Sequence, residues 1–197
     1  MSRPPLVLLL GGSPSPHSHT AAALEAAAKT LTCLGAEALV WDLATRPLPI
    51  VDPCCYGRPD LYADPLARML PATAARADAF LLASPAYHGS FSGALKNALD
   101  HLDGRELRGK PAGLLAHGED LDAAQVCEGL RTVTRALGAV ALPEQLVTVP
   151  EDFGRLDDGG PLLTDPTALD RLTSLCHSLL TYTRHAATPA AAGLRTA

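Results

Sequence analysis

The chain has 197 residues, 47% hydrophobic and 19% charged, with 16 basic against 21 acidic side chains and a formal net charge of −5. One domain with a single sizeable core is the expectation at this length, and a disordered chain is excluded, since such chains are poor in apolar residues. The acidic balance leaves no broad basic field for nucleic acid, and no apolar run approaches the ~20 residues that a membrane-spanning helix needs.

Residues 6–10 are a continuous apolar run ending at Gly11-Gly12, the pattern of a strand buried on both faces of a parallel sheet and too short for a signal peptide. Leu24, Ala27, Ala28, Leu31 and Leu34 then share one helical face behind Ser18, a candidate N-cap. Residues 36–41 are a weaker strand candidate. Residues 45–64 are rich in proline, glycine and aspartate without periodicity, so a long loop of the kind often tied to function is expected there. A short helix is expected from Pro65 to about Arg76.

Residues 79–83 and 112–116 repeat the apolar run, each stopped by turn residues. Between them Leu95, Ala98, Leu99 and Leu102 mark a helix after Gly93; further on, Leu130, Val133 and Leu137 mark another behind the acidic Glu119-Asp120. Residues 146–149 complete a set of five strands, and Leu169, Leu172, Leu175, Leu179 and Leu180 mark the last helix. The tail 186–197, almost all small or polar, is expected to be flexible, which leaves residues 1–185 as one domain. Five cysteines without a C-x-x-C pair suggest a reduced, cytoplasmic setting, and the adjacent Cys54 and Cys55 are left outside the site.

Strand and helix alternate throughout, which predicts an α/β fold with a parallel sheet covered by helices on both faces. Ligands then bind beyond the carboxyl ends of the strands, where strand order reverses, which privileges the loops 11–20, 84–93 and 117–122. The first has glycines, four hydroxyl residues and a helix start but no lysine or arginine. It suits a single phosphate monoester, with a capped serine-rich turn as the plain alternative. It is neither a G-x-x-x-x-G-K-[ST] loop nor a G-x-G-x-x-G fingerprint.

The second loop, Ser84-Pro85-Ala86-Tyr87-His88-Gly89-Ser90-Phe91-Ser92-Gly93, leads into Ala94-Leu95-Lys96-Asn97-Ala98-Leu99-Asp100. This segment resembles the hallmark S/T-P-x-Y-N-G-S-x-x-G-x-L-K-N-x-x-D of the NADPH-dependent FMN reductase family. The similarity runs in order from residue 6 to about residue 149 and includes the first loop, Leu48-Pro49 and Gly109-Lys110-Pro111. It implies a flavodoxin-like three-layer sandwich whose five-stranded parallel sheet has the order 2-1-3-4-5.

By the same resemblance Ser13, Ser18 and Thr20, with Ser15 beside them, hold the FMN phosphate, and Pro85, Ala86, Tyr87, His88, Gly89 and Ser90 lie along the isoalloxazine ring. His117 and Gly118 would turn backbone N–H groups to the N1 and O2 edge, with the His117 side chain as a cation. Lys96, Asn97 and Asp100 are read as structural. The chain departs from the family pattern at Ser15, where many relatives carry arginine, at His88, where asparagine is usual, and in the acidic loop Glu119-Asp120-Leu121-Asp122, whose charges suit a helix N-terminus.

The implied activity is hydride transfer from NADPH or NADH to FMN and on to a small-molecule acceptor, with no catalytic triad and no metal. A specialised flavin-dependent biosynthetic oxidase or dehydrogenase and a flavodoxin-type electron carrier stay open as alternatives. A homodimer or homotetramer is implied as well, with Phe91 and the helix after Gly93 as candidate interface elements.

Overall fold

The computed structural model describes residues 3–186. Strand β1 (Leu6–Gly11) is buried along its whole length. It runs parallel to β2 (Glu37–Asp42) on one side and to β3 (Ala79–Tyr87) on the other, with Leu9 opposite Val40 and Leu81. A two-residue strand β4 (Ser90–Phe91) folds back on β3. The sheet continues through β5 (Pro111–His117) to β6 (Val140–Thr148), in the order β2-β1-β3-β5-β6. Setting β4 aside, this is the flavodoxin-like order 2-1-3-4-5.

Alternation of side chains across the pleat sorts the core into two layers. Leu8, Leu10, Phe80, Leu82 and Leu114 face Leu70 of α2 (Pro65–Arg76), Leu95 and Leu99 of α3 (Gly93–Asp100), Leu107 of the single turn α4 (Gly104–Leu107), and Val126 and Leu130 of α5 (Ala124–Ala136). Val7, Leu9, Leu81 and Leu115 face Leu24 and Leu31 of α1 (His19–Cys33) and Leu172 and Leu179 of α6 (Pro166–Ala186). Each fully buried leucine stabilises the fold by roughly 1.5–3 kcal/mol. Caps fall where the sequence signals them: Ser18 opens α1, Asp64 with Pro65 opens α2, and Gly35, at φ 83°, lets the chain turn left-handed beyond α1.

Several elements differ from expectation. Strand β3 runs past residue 83 to Tyr87 and pairs with β4 inside the expected loop 84–93, and the turn α4 lies outside the expected elements. Strand β6 begins at Val140 rather than 146, with a register shift opposite Ala112 and Leu114. The shift accommodates Pro143, which an edge strand tolerates at such an irregularity. A hairpin of β7 (Phe153–Arg155) and β8 (Pro161–Leu163) follows β6 in a segment whose aspartates and glycines suggest only loop.

The long loop 45–64 is pinned to α3. The Asn97 amide accepts from the Val51 N–H at 2.9 Å and donates to the Pro49 carbonyl at 2.8 Å, while His101 Nε2 lies 2.9 Å from the same carbonyl. Asn97 is thus structural, as expected. Lys96 and Asp100 pair at 2.6 Å on the same helix. Phe91, expected at an interface, is half-buried against Gly129 of α5, where any larger residue would meet its ring at 3.2 Å. The expected flexible tail lies, beyond Ala186, outside the described residues. Among the described residues no helix is long and apolar enough to cross a membrane.

Candidate functional site

The loops after β1, β3 and β5 converge at the carboxyl edge of the sheet. Gly12 allows a close approach. Its N–H donates to the Ala83 carbonyl at 2.8 Å, and a Cβ there would lie 2.7 Å from Leu95 Cβ and 2.9 Å from that carbonyl. The Gly12 carbonyl accepts from the buried Ser92 hydroxyl, which also caps α3 by accepting from the Leu95 N–H at 3.0 Å. The Ser92 N–H donates to the Ser84 hydroxyl at 2.9 Å, which donates to the Pro85 carbonyl at 2.8 Å. This chain of bonds joins the first loop to the second. Neither Ser84 nor Ser92 stands among the expected ligands, because their work lies between loops distant in sequence.

In the first loop Ser13 is buried, and its hydroxyl accepts from the Ser15 N–H at 3.2 Å. Ser15 is exposed and donates to the Pro16 carbonyl at 3.2 Å. The loop turns at His17, held at φ 56°. Ser18 Oγ accepts from the Ala21 N–H at 3.1 Å and its carbonyl accepts from Ala22, so its hydroxyl proton stays available. The N–H groups of His19 and Thr20 find no acceptor among the described residues, as the first turn of a helix leaves them. Thr20 is 1% exposed, and its hydroxyl has no partner among the described residues.

A buried unpaired hydroxyl costs about 1–3 kcal/mol. One that sits beside unpaired helix N-terminal N–H groups fits an anion that supplies the missing acceptors. The residues present therefore suit a phosphate through neutral donors and the helix dipole. The loop's flank is a cleft of about 250 Å³ between Pro16, His17, Asp42, Asp158 and Pro161, walled by the β7–β8 hairpin that sequence reasoning missed.

The second loop is a tight hairpin. Tyr87 pairs with Ser90, and His88 and Gly89 between them have φ of 52° and 73°. Positive φ at both central positions is the signature of a type I′ turn, which favours Asn-Gly. His88 occupies the place of the asparagine. Pro85 is buried, Ala86 half-buried, and Tyr87, His88, Gly89 and Ser90 are exposed, so the hairpin presents an open platform of backbone and one phenol.

The third loop corrects two expectations. The Gly118 N–H donates to the Thr148 carbonyl at 3.1 Å, so it is engaged in the sheet rather than turned to a ligand. A cationic His117 is disfavoured: burial, reinforced by the nearby His19, pushes its pKa down to about 4, against a smaller upward pull from Thr148. Its ring stacks on His19 with centroids 4.5 Å apart, and Phe153 stands edge-on to both at 4.7 and 5.4 Å. A Cβ on Gly118 would lie 2.7 Å from Ala123 Cβ and 3.2 Å from Ala86 Cβ, which is how loops two and three touch. Of the acidic residues, Asp120 serves the turn, capping the segment Leu121–Ala123 by accepting from the Asp122 N–H at 2.9 Å. Among the described residues no group of three or more His, Cys, Asp or Glu side chains is placed to hold a metal. Cys54 and Cys55 are free thiols on the loop pinned to α3.

Comparison with known proteins gives the family. The family model for NADPH-dependent FMN reductase matches residues 5–154. An FMN-dependent NADPH-azoreductase of Staphylococcus aureus is 33% identical over 167 residues, spanning 80% of this chain and 84% of that protein. Two solved structures share the fold. FerB, a flavoenzyme NAD(P)H:(acceptor) oxidoreductase from Paracoccus denitrificans, aligns with a TM-score of 0.73 at 21% identity over 92% of this chain and 98% of its own. The apo form of an NADH:FMN oxidoreductase, EMOB, aligns with a TM-score of 0.72 at 22% identity over 93% and 91%. With more than half its length matched by the family model and a relative above 30% identity, the chain belongs to the NADPH-dependent FMN reductase family and is an FMN-dependent oxidoreductase that draws on NAD(P)H.

Proposed function

We propose that residues 1–185 form one FMN-binding domain in which Ser13, Ser18 and Thr20, with the N–H groups of His19 and Thr20, hold the cofactor's phosphate. Ser15 stands at the rim of this cradle. Pro85, Ala86, Tyr87, His88, Gly89 and Ser90 carry the isoalloxazine ring, with His117 and Gly118 closing the third side. Bound FMN supplies the hydride acceptor and the onward electron donor, which the protein itself lacks. The chain's contribution is to orient: the Ser84–Ser92–Gly12 bonds fix the phosphate loop against the ring loop, and the open hairpin leaves a face on which nicotinamide and acceptor take turns.

The observation that carries this reading is the buried, unpaired Thr20 hydroxyl at the start of α1. The similar azoreductase supports an azo compound as one acceptor, beside quinones, free flavin or a metal oxyanion. A reduced cytoplasmic setting and a homodimer or homotetramer complete the reading; the free cysteines support the first and the family the second. Equilibrium titration with FMN and with riboflavin tests the cradle: FMN is expected to bind at least tenfold more tightly, since charge-assisted hydrogen bonds contribute about 1.5–3 kcal/mol each. Equal binding of the two would refute it.

A further inference from the structure

His117 ends β5 with Pro85 as its register partner on one side and Thr148 on the other. Its contacts fit a tautomer with the hydrogen on Nδ1. The Thr148 hydroxyl has one proton and donates it to the Ala116 carbonyl at 3.3 Å. Thr148 Oγ1 also lies 3.2 Å from His117 Nδ1; with its proton on the Ala116 carbonyl it accepts from Nδ1, and this is the tautomer on which the inference rests. With the ring neutral down to about pH 4, Nε2 is a bare lone pair. It finds no partner among the described residues, and it is not among the atoms sealed from solvent.

The placement of this acceptor says what it faces. His117 stacks on His19, the first residue of α1, so it lies one ring thickness from the phosphate cradle and beside the strand that leads to the ring platform. The part of FMN that bridges those two places is its polyhydroxylated chain, which is rich in donors. The N1 and O2 edge of the flavin offers only acceptors and would be repelled by a bare imine nitrogen. We propose that His117 is a binding residue for the ribityl chain, its Nε2 accepting a hydrogen bond from a chain hydroxyl and Thr148 acting as the positioning residue that fixes the tautomer. This rests on the FMN reading above and extends it to a side chain whose role was expected to be the opposite, that of a donor.

The test compares FMN with an analogue whose phosphate is joined to the ring by a hydroxyl-free alkyl chain of equal length. Dissociation constants are measured for the wild type and for His117→Asn, which keeps an N–H near the position of Nδ1 but has nothing at Nε2. His117→Phe is the second variant, preserving the ring stack. Both variants are expected to weaken FMN binding about fivefold, the worth of one neutral hydrogen bond, and to leave the analogue's binding unchanged. Nitrogen-15 NMR of the apo protein is expected to report hydrogen on Nδ1, and Thr148→Val to mix the tautomers. Equal losses for both ligands, no loss for either, or hydrogen on Nε2 would overturn the assignment while FMN binding itself stands. A wild type that binds neither ligand would overturn the flavin reading and this inference together.

Discussion

The Ser92 hydroxyl donates to the carbonyl of Gly12 across 80 residues of sequence. The bond is buried, and it joins the cap of α3 to the tightest point of the loop after β1, so one side chain stabilises a helix and sets the spacing of two loops. Ser92→Ala removes a cap worth about 1 kcal/mol and leaves a buried carbonyl short of a donor at a further cost of about 1–2 kcal/mol. Urea unfolding is expected to show a loss of about 2–3 kcal/mol, and FMN affinity should fall with it. A loss confined to the capping value would mean that the bond to Gly12 contributes nothing.

Thr20 separates binding from stability. Its hydroxyl is buried and has no partner among the described residues, so Thr20→Val keeps the shape and removes an unsatisfied group. The apo protein is expected to gain about 1 kcal/mol in chemical denaturation, while FMN affinity drops about tenfold. Parallel losses in both would show that the hydroxyl has a structural partner instead of a ligand.

His88 sits at φ 52° in the first central position of the β3–β4 turn. Asparagine tolerates that region better than an imidazole does. His88→Asn is expected to raise stability by about 0.5 kcal/mol and His88→Val to lower it by about 1–2 kcal/mol, given the strain of a β-branched residue there. The urea midpoints of the two variants check both signs.

The depressed pKa of His117 makes the fold sensitive to acid. The unfolded chain takes up a proton on this ring near 6.5, whereas the folded chain resists until about 4. The unfolded state therefore binds more protons in that window, and the contribution is complete above about pH 6.5 and lost as pH falls toward 4. Because the ring is only half-buried, solvent reduces the effect to about 1–2 kcal/mol. Thermal melts of the apo protein from pH 7 to 4 should show this decline, and His117→Phe should flatten it. An unchanged slope in the variant would assign the decline to other groups.

Much of this architecture is legible in the chain because its strands are central. Runs such as Leu6 to Leu10 are buried on both faces, so every position is apolar and the strand announces itself. The Ser18 cap and the Asp64-Pro65 opening of α2 are equally local signals. What escaped reading either carries too short a local pattern or depends on contacts between distant segments. Strand β6 lies at the sheet's edge and carries polar residues with Pro143, and the β7–β8 hairpin has three residues per strand, too few for a period. In the candidate site, the hydroxyls and the helix start of the first loop are plain in the chain. The partners that decide the chemistry of His117, namely Thr148, His19 and Phe153, come from three other elements, and no spacing in the chain points to them.

The central claim is that this chain binds FMN and passes electrons from a nicotinamide through it. Its most direct test is the absorbance of the FMN-loaded protein mixed anaerobically with NADPH or NADH, followed by admission of an azo dye or a quinone. The account predicts bleaching of the flavin band by the nicotinamide and its recovery, with reduction of the acceptor, on the second addition. A flavin band that both nicotinamides leave untouched would contradict it and return the electron carrier as the better description.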